Sequence, residues 1–165
     1  PALEKLAKKG DERAFSLPRP LIGHDNCNFS FSGLKTALIR LSRKLEPVDQ
    51  ITKINIAASY QKAIIECLVD RTKNSITLSK KIHPDLTIKN LVASGGVAAN
   101  KRLTEELRNL AKDNKMKFIS PPAELCTDNA AMIAWAGCLR MKEGLLNNEM
   151  ISAKARWPLE EVVKK

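Results

Sequence analysis

Four positions in this 165-residue chain have the type and spacing to do chemistry: Gly95, Gly96, Asn100 and Asp128. The glycine pair follows the apolar run Leu91-Val92-Ala93 and precedes an amphipathic segment. Two missing Cβ atoms at a chain reversal allow a positive φ and close approach of a ligand. A helix starting right after such a turn would offer free N–H groups and a positive dipole end to a phosphate or carboxylate. A tight strand-to-helix turn uses such a pair equally well with no ligand at all. Asn100 reads as a polar residue of the first helical turn, or as an amide that donates to and accepts from a ribose or an adenine edge. Asp128 opens a helix after Pro121-Pro122. Its carboxylate can cap that helix, or it can bind a metal at the carboxyl end of a strand, where open α/β sheets place their ligands.

Other chemistries find little support. His24 and His83 stand in polar or proline-bounded stretches, far apart in the sequence, and form no Ser-His-Asp, Cys-His or H-E-x-x-H arrangement. Cys27, Cys67, Cys126 and Cys138 contain no C-x-x-C pair and read as reduced intracellular thiols.

The elements that must position the four residues follow from periodicity. Residues 2–9 predict a short helix ending at Gly10, and Leu17-Pro18-Arg19-Pro20-Leu21 predicts extended chain. Ser32 is a fair N-cap for a helix over about 33–45, with Leu34, Leu38, Leu41 and Leu45 on one stripe. Lys35, Arg40, Arg43 and Lys44 lie off that stripe, as a solvated or an RNA-facing surface. Pro47 suits the first turn of the next helix. From Val48 to about Val69, Ile51, Ile54, Ala57, Ala58, Ile64, Ile65 and Leu68 spread widely enough to predict burial on more than one face. Lys73-Asn74 reads as a bend or as polar helix surface, and the segment ends near His83-Pro84.

Ile88–Ala93 then predicts a strand, 98–113 a helix striped by Ala99, Leu103, Leu107, Leu110 and Ala111, and Lys117-Phe118-Ile119 a second strand. A last helix runs through Met132, Ile133, Ala136 and Leu139 to near Gly144. Strand, helix, strand, helix predicts an α/β architecture with a parallel pair. Two strands make an incomplete sheet, and the chain opens on Pro1 in helical pattern, so it reads as part of something longer. The division expected is a helical segment over 1–85, a βαβα segment over 86–150 and a basic tail over 151–165.

Lys and Arg number 28 against 18 Asp and Glu, a net charge of +10, which favours an anionic partner such as RNA, a nucleotide or an acidic surface. No apolar run reaches the roughly 20 residues of a membrane span.

Taken together, Phe29-Ser30-Phe31-Ser32-Gly33-Leu34-Lys35, Ser94-Gly95-Gly96-Val97-Ala98-Ala99-Asn100 and Pro121-Pro122 through Cys126-Thr127-Asp128-Asn129-Ala130-Ala131-Met132-Ile133-Ala134 resemble one family. It is the tRNA N6-adenosine threonylcarbamoyltransferases, once called O-sialoglycoprotein endopeptidases or glycoproteases. The opening Pro1-Ala2-Leu3-Glu4-Lys5-Leu6-Ala7 is similar to the family segment that follows a glycine pair. The likeness runs in order along essentially the whole chain.

The resemblance implies an actin-like ATPase fold of two lobes, with this chain forming the later part: most of the second lobe and the helix returning to the first. It implies transfer of threonylcarbamoyl from its adenylate to N6 of adenosine 37 in tRNAs reading codons that begin with A. It implies one divalent metal, iron or zinc, held by a histidine pair and a late aspartate, which Asp128 matches. Asn100 matches the asparagine that binds the nucleotide-like substrate, and Glu4 lies where some members contact the ribose. Gly95, Gly96, Ala99 and Thr127 adjoin these as substrate-binding positions. Implied partners are tRNA, threonylcarbamoyl-adenylate and other proteins of the pathway, in a bacterial cytoplasm and without a membrane. The histidine pair and the early glycine-rich loops of the family are absent here, so the isolated chain is expected to be inactive. Rival readings are a metallo-endopeptidase, after the older name, and a non-catalytic nucleotide- or RNA-binding module.

Overall fold

A computed structural model describes residues 2–145. The chain forms two units, one ending at Asp128 and one beginning at Asn129.

The first unit is built on a single long helix. Between Gln50 and Ile82 there is no glycine or proline, and Asp49 caps the start by accepting the Thr52 N–H at 2.6 Å. The result is one helix, α3 (Gln50–Ile82), of 33 residues, about 50 Å long at 1.5 Å per residue. It passes straight through Lys73-Asn74, where a bend was one of two readings. Pro47 lies before the Asp49 cap rather than in the first turn. The helix stops where Pro84 biases His83 away from helical backbone, with Lys80 and Lys81 favourably placed against the dipole in the last turn.

Two clusters of buried side chains lie against α3, as its broad apolar surface predicts. On one side Ile65 and Ile76 meet Leu103, Leu107, Leu110 and Ala111 of α4 (Lys101–Asp113), with Met116, Leu91 and Phe118. On the other, Ala63 meets Leu17 and Leu34 of α2 (Ser32–Lys44), flanked by Phe31, Leu41 and Tyr60. Leu34 is fully buried, while Lys35, Arg40, Arg43 and Lys44 are exposed. Ser32 lies inside α2 and provides no side-chain cap, the capping position falling on Phe31. Ile51, placed by periodicity on the apolar surface of α3, is exposed in its first turn.

Helix α1 (Ala2–Ala7) packs on α3, and Gly10 sets the distance. A Cβ there would lie 2.4 Å from the Ile54 carbonyl oxygen. The chain that follows is tied along α3 by polar groups. The Asp11 N–H donates to Asn55 Oδ1 at 2.9 Å, and the Phe15 N–H to Ser59 Oγ at 3.1 Å. Arg19 Nε donates to Glu66 Oε2 at 2.7 Å, Arg71 Nη1 to the Asn26 carbonyl at 2.7 Å, and Asn74 Nδ2 to the His24 carbonyl at 2.6 Å. Arg71, almost wholly buried, also pairs with Asp70.

The parallel strand pair is present and short. β1 (Asn90–Val92) runs beside β2 (Lys117–Ile119) with Leu91 opposite Phe118. Hydrogen bonds from Lys117 N to Lys89 O and from Ala93 N to Ile119 O extend the ladder by one step at each end. Helix α4 makes the connection that parallel strands require.

The second unit holds α5 (Ala130–Lys142), whose N-cap is Asn129, accepting the Met132 N–H at 3.0 Å. Gly144, at φ +70°, follows its end. The expected basic tail over 151–165 lies outside the described residues.

Candidate functional site

Three stretches distant in sequence meet in a cleft of about 450 Å³ in the first unit. Leu3 and Glu4 come from α1, Gln61, Ile64, Ile65 and Leu68 from α3, and Gly96, Val97, Ala99, Asn100 and Leu103 from the glycine turn and the start of α4. The volume lies in the range of small-molecule sites, and a mostly apolar lining with a few polar groups is their usual character. Four residues predicted from sequence thus share one wall-to-wall space: Glu4, Gly96, Ala99 and Asn100. Gly95 adjoins them at φ +86°, the left-handed region that an L side chain rarely enters. Gly96 has open space where a Cβ would stand, so no protein atom requires a glycine there.

The turn differs from expectation in how it reaches the helix. Gly96–Ala99 form a single 3₁₀ turn, and α4 begins only at Lys101. Asn100 is the N-cap: its Oδ1 accepts the Leu103 N–H at 3.0 Å. The Lys101 N–H donates to Glu4 Oε1 at 3.3 Å. A free helix N-terminus directly behind the glycines is therefore not what the turn offers. An extended, asparagine-capped linkage takes its place, because Asn100 competes successfully for the N–H groups a helix leaves unpaired. The capping amide also borders the cleft.

Asn100 is held by a neighbour that the sequence did not mark. Asn100 Nδ2 donates to Oε1 of Gln61, a buried residue of α3, at 3.0 Å. Beside the cleft, Glu12 receives Lys62 Nζ at 3.1 Å on one carboxylate oxygen and Arg102 on the other. The hydrogen bond from Arg102 is the chief reason that the Glu12 carboxyl sits below the ordinary carboxylate range. The available signal for Gln61 was a carboxamide within the apolar run Ile54–Leu68, where a polar group is costly unless it is bonded.

Thr127 and Asp128 do not line the cleft. The short turn Ala123–Leu125 packs on the Gly96–Ala99 turn, and Thr127 Oγ1 donates to the Glu124 carbonyl at 3.5 Å. Asp128 is exposed and does not cap the following helix; Asn129 does, being the residue whose side-chain oxygen reaches the N–H of Met132. Asp128 is thereby left without a capping role. Among the described residues no group of three or more His, Cys, Asp or Glu side chains could hold a metal ion. His24 lies in an exposed loop, and His83 ends α3. All four cysteines are free, and burial pushes the Cys67 thiol up, away from the reactive thiolate.

A cleft walled by a glycine turn, a capping asparagine and a carboxylate has the size and lining of a small-molecule site. Comparison with known proteins narrows the class. Residues 1–135 match the family model described as TsaD, tRNA N6-adenosine threonylcarbamoyltransferase. The chain is 46% identical over 161 residues to the tRNA N6-adenosine threonylcarbamoyltransferase of Brucella suis, and 45% identical to those of Brucella ovis and Brucella abortus. Each alignment covers 98% of this chain and 45% of the relative. The chain belongs to the TsaD family, and it spans about half the length of these relatives.

Proposed function

We propose that this chain is the later part of a tRNA N6-adenosine threonylcarbamoyltransferase, and that its cleft forms one wall of the threonylcarbamoyl-adenylate site. The observation that carries this reading is the convergence of Glu4, Gly96, Ala99 and Asn100 on one cleft in a chain of that family. The whole protein transfers threonylcarbamoyl to N6 of adenosine 37 in tRNA and adopts a two-lobed, actin-like ATPase fold. The strand pair and α4 belong to its second lobe.

The roles follow from the geometry. Gly96, with no Cβ and open space before it, lets the adenylate approach the backbone. Asn100, held in place at both ends of its amide, meets the ligand with little reorganisation. Glu4 keeps one carboxylate oxygen on the Lys101 N–H and turns the other towards a ribose hydroxyl. The exposed cations of α2 and α4 hold tRNA phosphates through a salt-sensitive contact. Asp128, which no capping duty occupies, fits one position in a metal's ligand set, and among the described residues no group of three or more such donors completes it. A divalent iron or zinc there would supply Lewis-acid polarisation of the carbamoyl carbonyl.

The test is transfer of labelled threonylcarbamoyl to tRNA. Joined to the preceding family portion, the chain should be active and should lose activity on Asn100→Ala; alone it should transfer nothing. An unimpaired Asn100→Ala protein would remove Asn100 from the site.

A further inference from the structure

We infer that Gln61 is a second ligand-binding residue of the cleft, working with Asn100 as a carboxamide pair that presents hydrogen-bond donors to an acceptor-rich ligand such as a nucleoside monophosphate. The inference rests on the adenylate-cleft reading and adds a residue and a polarity to it.

The orientation of both amides is dictated by one fixed donor. The Leu103 N–H can meet only an oxygen, so Asn100 must place Oδ1 towards α4. Its Nδ2 then faces α3, and an N–H group facing Gln61 at 3.0 Å needs an acceptor. Gln61 is thereby obliged to turn Oε1 to Asn100 and its Nε2 away. Among the described residues no protein group accepts from that Nε2, and no side-chain nitrogen or oxygen buried from solvent is left without a partner. Nε2 is therefore not sealed from solvent, and Gln61, more than nine-tenths buried, borders the cleft and also a neighbouring cavity lined by Glu12 and Arg102.

The pair sorts ligands by their acceptors. Asn100 has committed its oxygen to a backbone N–H and one Nδ2 hydrogen to Gln61, leaving one hydrogen to give. Gln61 has committed its oxygen and retains both hydrogens of Nε2. The carboxamide part of this wall presents donors beside the accepting Glu4 carboxylate, which suits ribose oxygens, adenine ring nitrogens or phosphate oxygens. Gln61 sits in the middle of a helix packed on two sides, so its carboxamide is preorganised.

The test is titration of AMP into the ¹⁵N-labelled chain, following the side-chain NH₂ resonances of Gln61 and Asn100, which report binding down to the millimolar range. Both pairs of resonances should move together and saturate at one AMP concentration. Gln61→Glu keeps the oxygen that Asn100 needs and removes the donors. It should retain the cooperative thermal unfolding of the fold and weaken AMP at least ten-fold. Movement of the Asn100 resonances without those of Gln61, or undiminished affinity in Gln61→Glu, would overturn the inference and leave the adenylate reading standing. If neither residue responds to AMP, both fall.

Discussion

Glu12 and Arg102 are joined carboxylate to guanidinium, from the residues just after α1 to the first turn of α4. The other oxygen of Glu12 holds Lys62 of α3 at 3.1 Å, so one carboxylate ties together three segments bordering the cleft.

This arrangement has a pH signature. The Glu12 carboxyl titrates below its ordinary value because Arg102, and then Lys62, favour the charged form. A depressed carboxyl stabilises the fold at pH values above its unfolded pKa of about 4.3. That contribution is lost as pH falls through the lower, folded value. The groups are partly exposed, so the network is worth about 1 kcal/mol or less. Glu12→Gln should lower the melting temperature at pH 7, and the difference from the unaltered protein should shrink as pH is taken below 4. A difference that stays constant down to pH 2.5 would exclude this origin.

The glycines separate into three kinds of dependence. Gly10→Ala sets a Cβ against the Ile54 backbone and should cost about 1–3 kcal/mol by overpacking. Gly95→Ala should cost about 1–2 kcal/mol for its left-handed backbone alone. Gly96→Ala meets no protein atom and should leave urea denaturation unchanged while weakening AMP binding. Equal loss of stability at Gly96 and Gly10 would contradict the open space seen before Gly96.

The cap expected at Asp128 falls on Asn129. Asn129→Ala removes the cap of α5 and should reduce that helix's stability by about 1 kcal/mol. Asp128→Ala should leave it unaffected while abolishing transfer by the full-length protein. Hydrogen exchange of the α5 amides reads the first effect and tRNA modification the second.

Arg71 holds the chain before α2 against α3 through the Asn26 carbonyl. Arg71→Leu leaves that carbonyl only the longer bond from Asn74 Nδ2 at 3.3 Å and should cost about 1–3 kcal/mol. Faster hydrogen exchange should follow at residues 23–28, with the amides of α4 far less affected. Uniform acceleration across the first unit would mean that Arg71 supports the core as a whole.

The elements visible in the sequence were those with a period. The leucine stripe of α2, the apolar breadth of α3, the α4 stripe from Leu103 to Ala111 and the parallel strands all follow from spacing. The attachment of residues 11–27 to α3 did not, because Asn55, Ser59, Glu66 and Asn74 look like ordinary helix surface until their partners are known. The caps were misplaced by a single residue: at Asn129 because neighbouring short polar side chains compete for the same N–H groups, and at Phe31 because α2 starts without any side-chain cap. Glu4 was singled out by resemblance alone, Asn100 by its amide chemistry and by resemblance. That they share a cleft is a matter of tertiary packing that no local pattern encodes.

Residues 61, 62 and 63 of α3 each face a different neighbour. Gln61 holds Asn100, Lys62 holds Glu12, and Ala63 is sealed against Leu17 and Leu34. Successive residues on a helix diverge by about 100°, so these three constraints fix the angle of α3 about its own axis. The helix behaves as a keyed shaft: a larger side chain at position 63 would turn the Gln61 amide out of register, although it lies on a different side of the helix from the cleft.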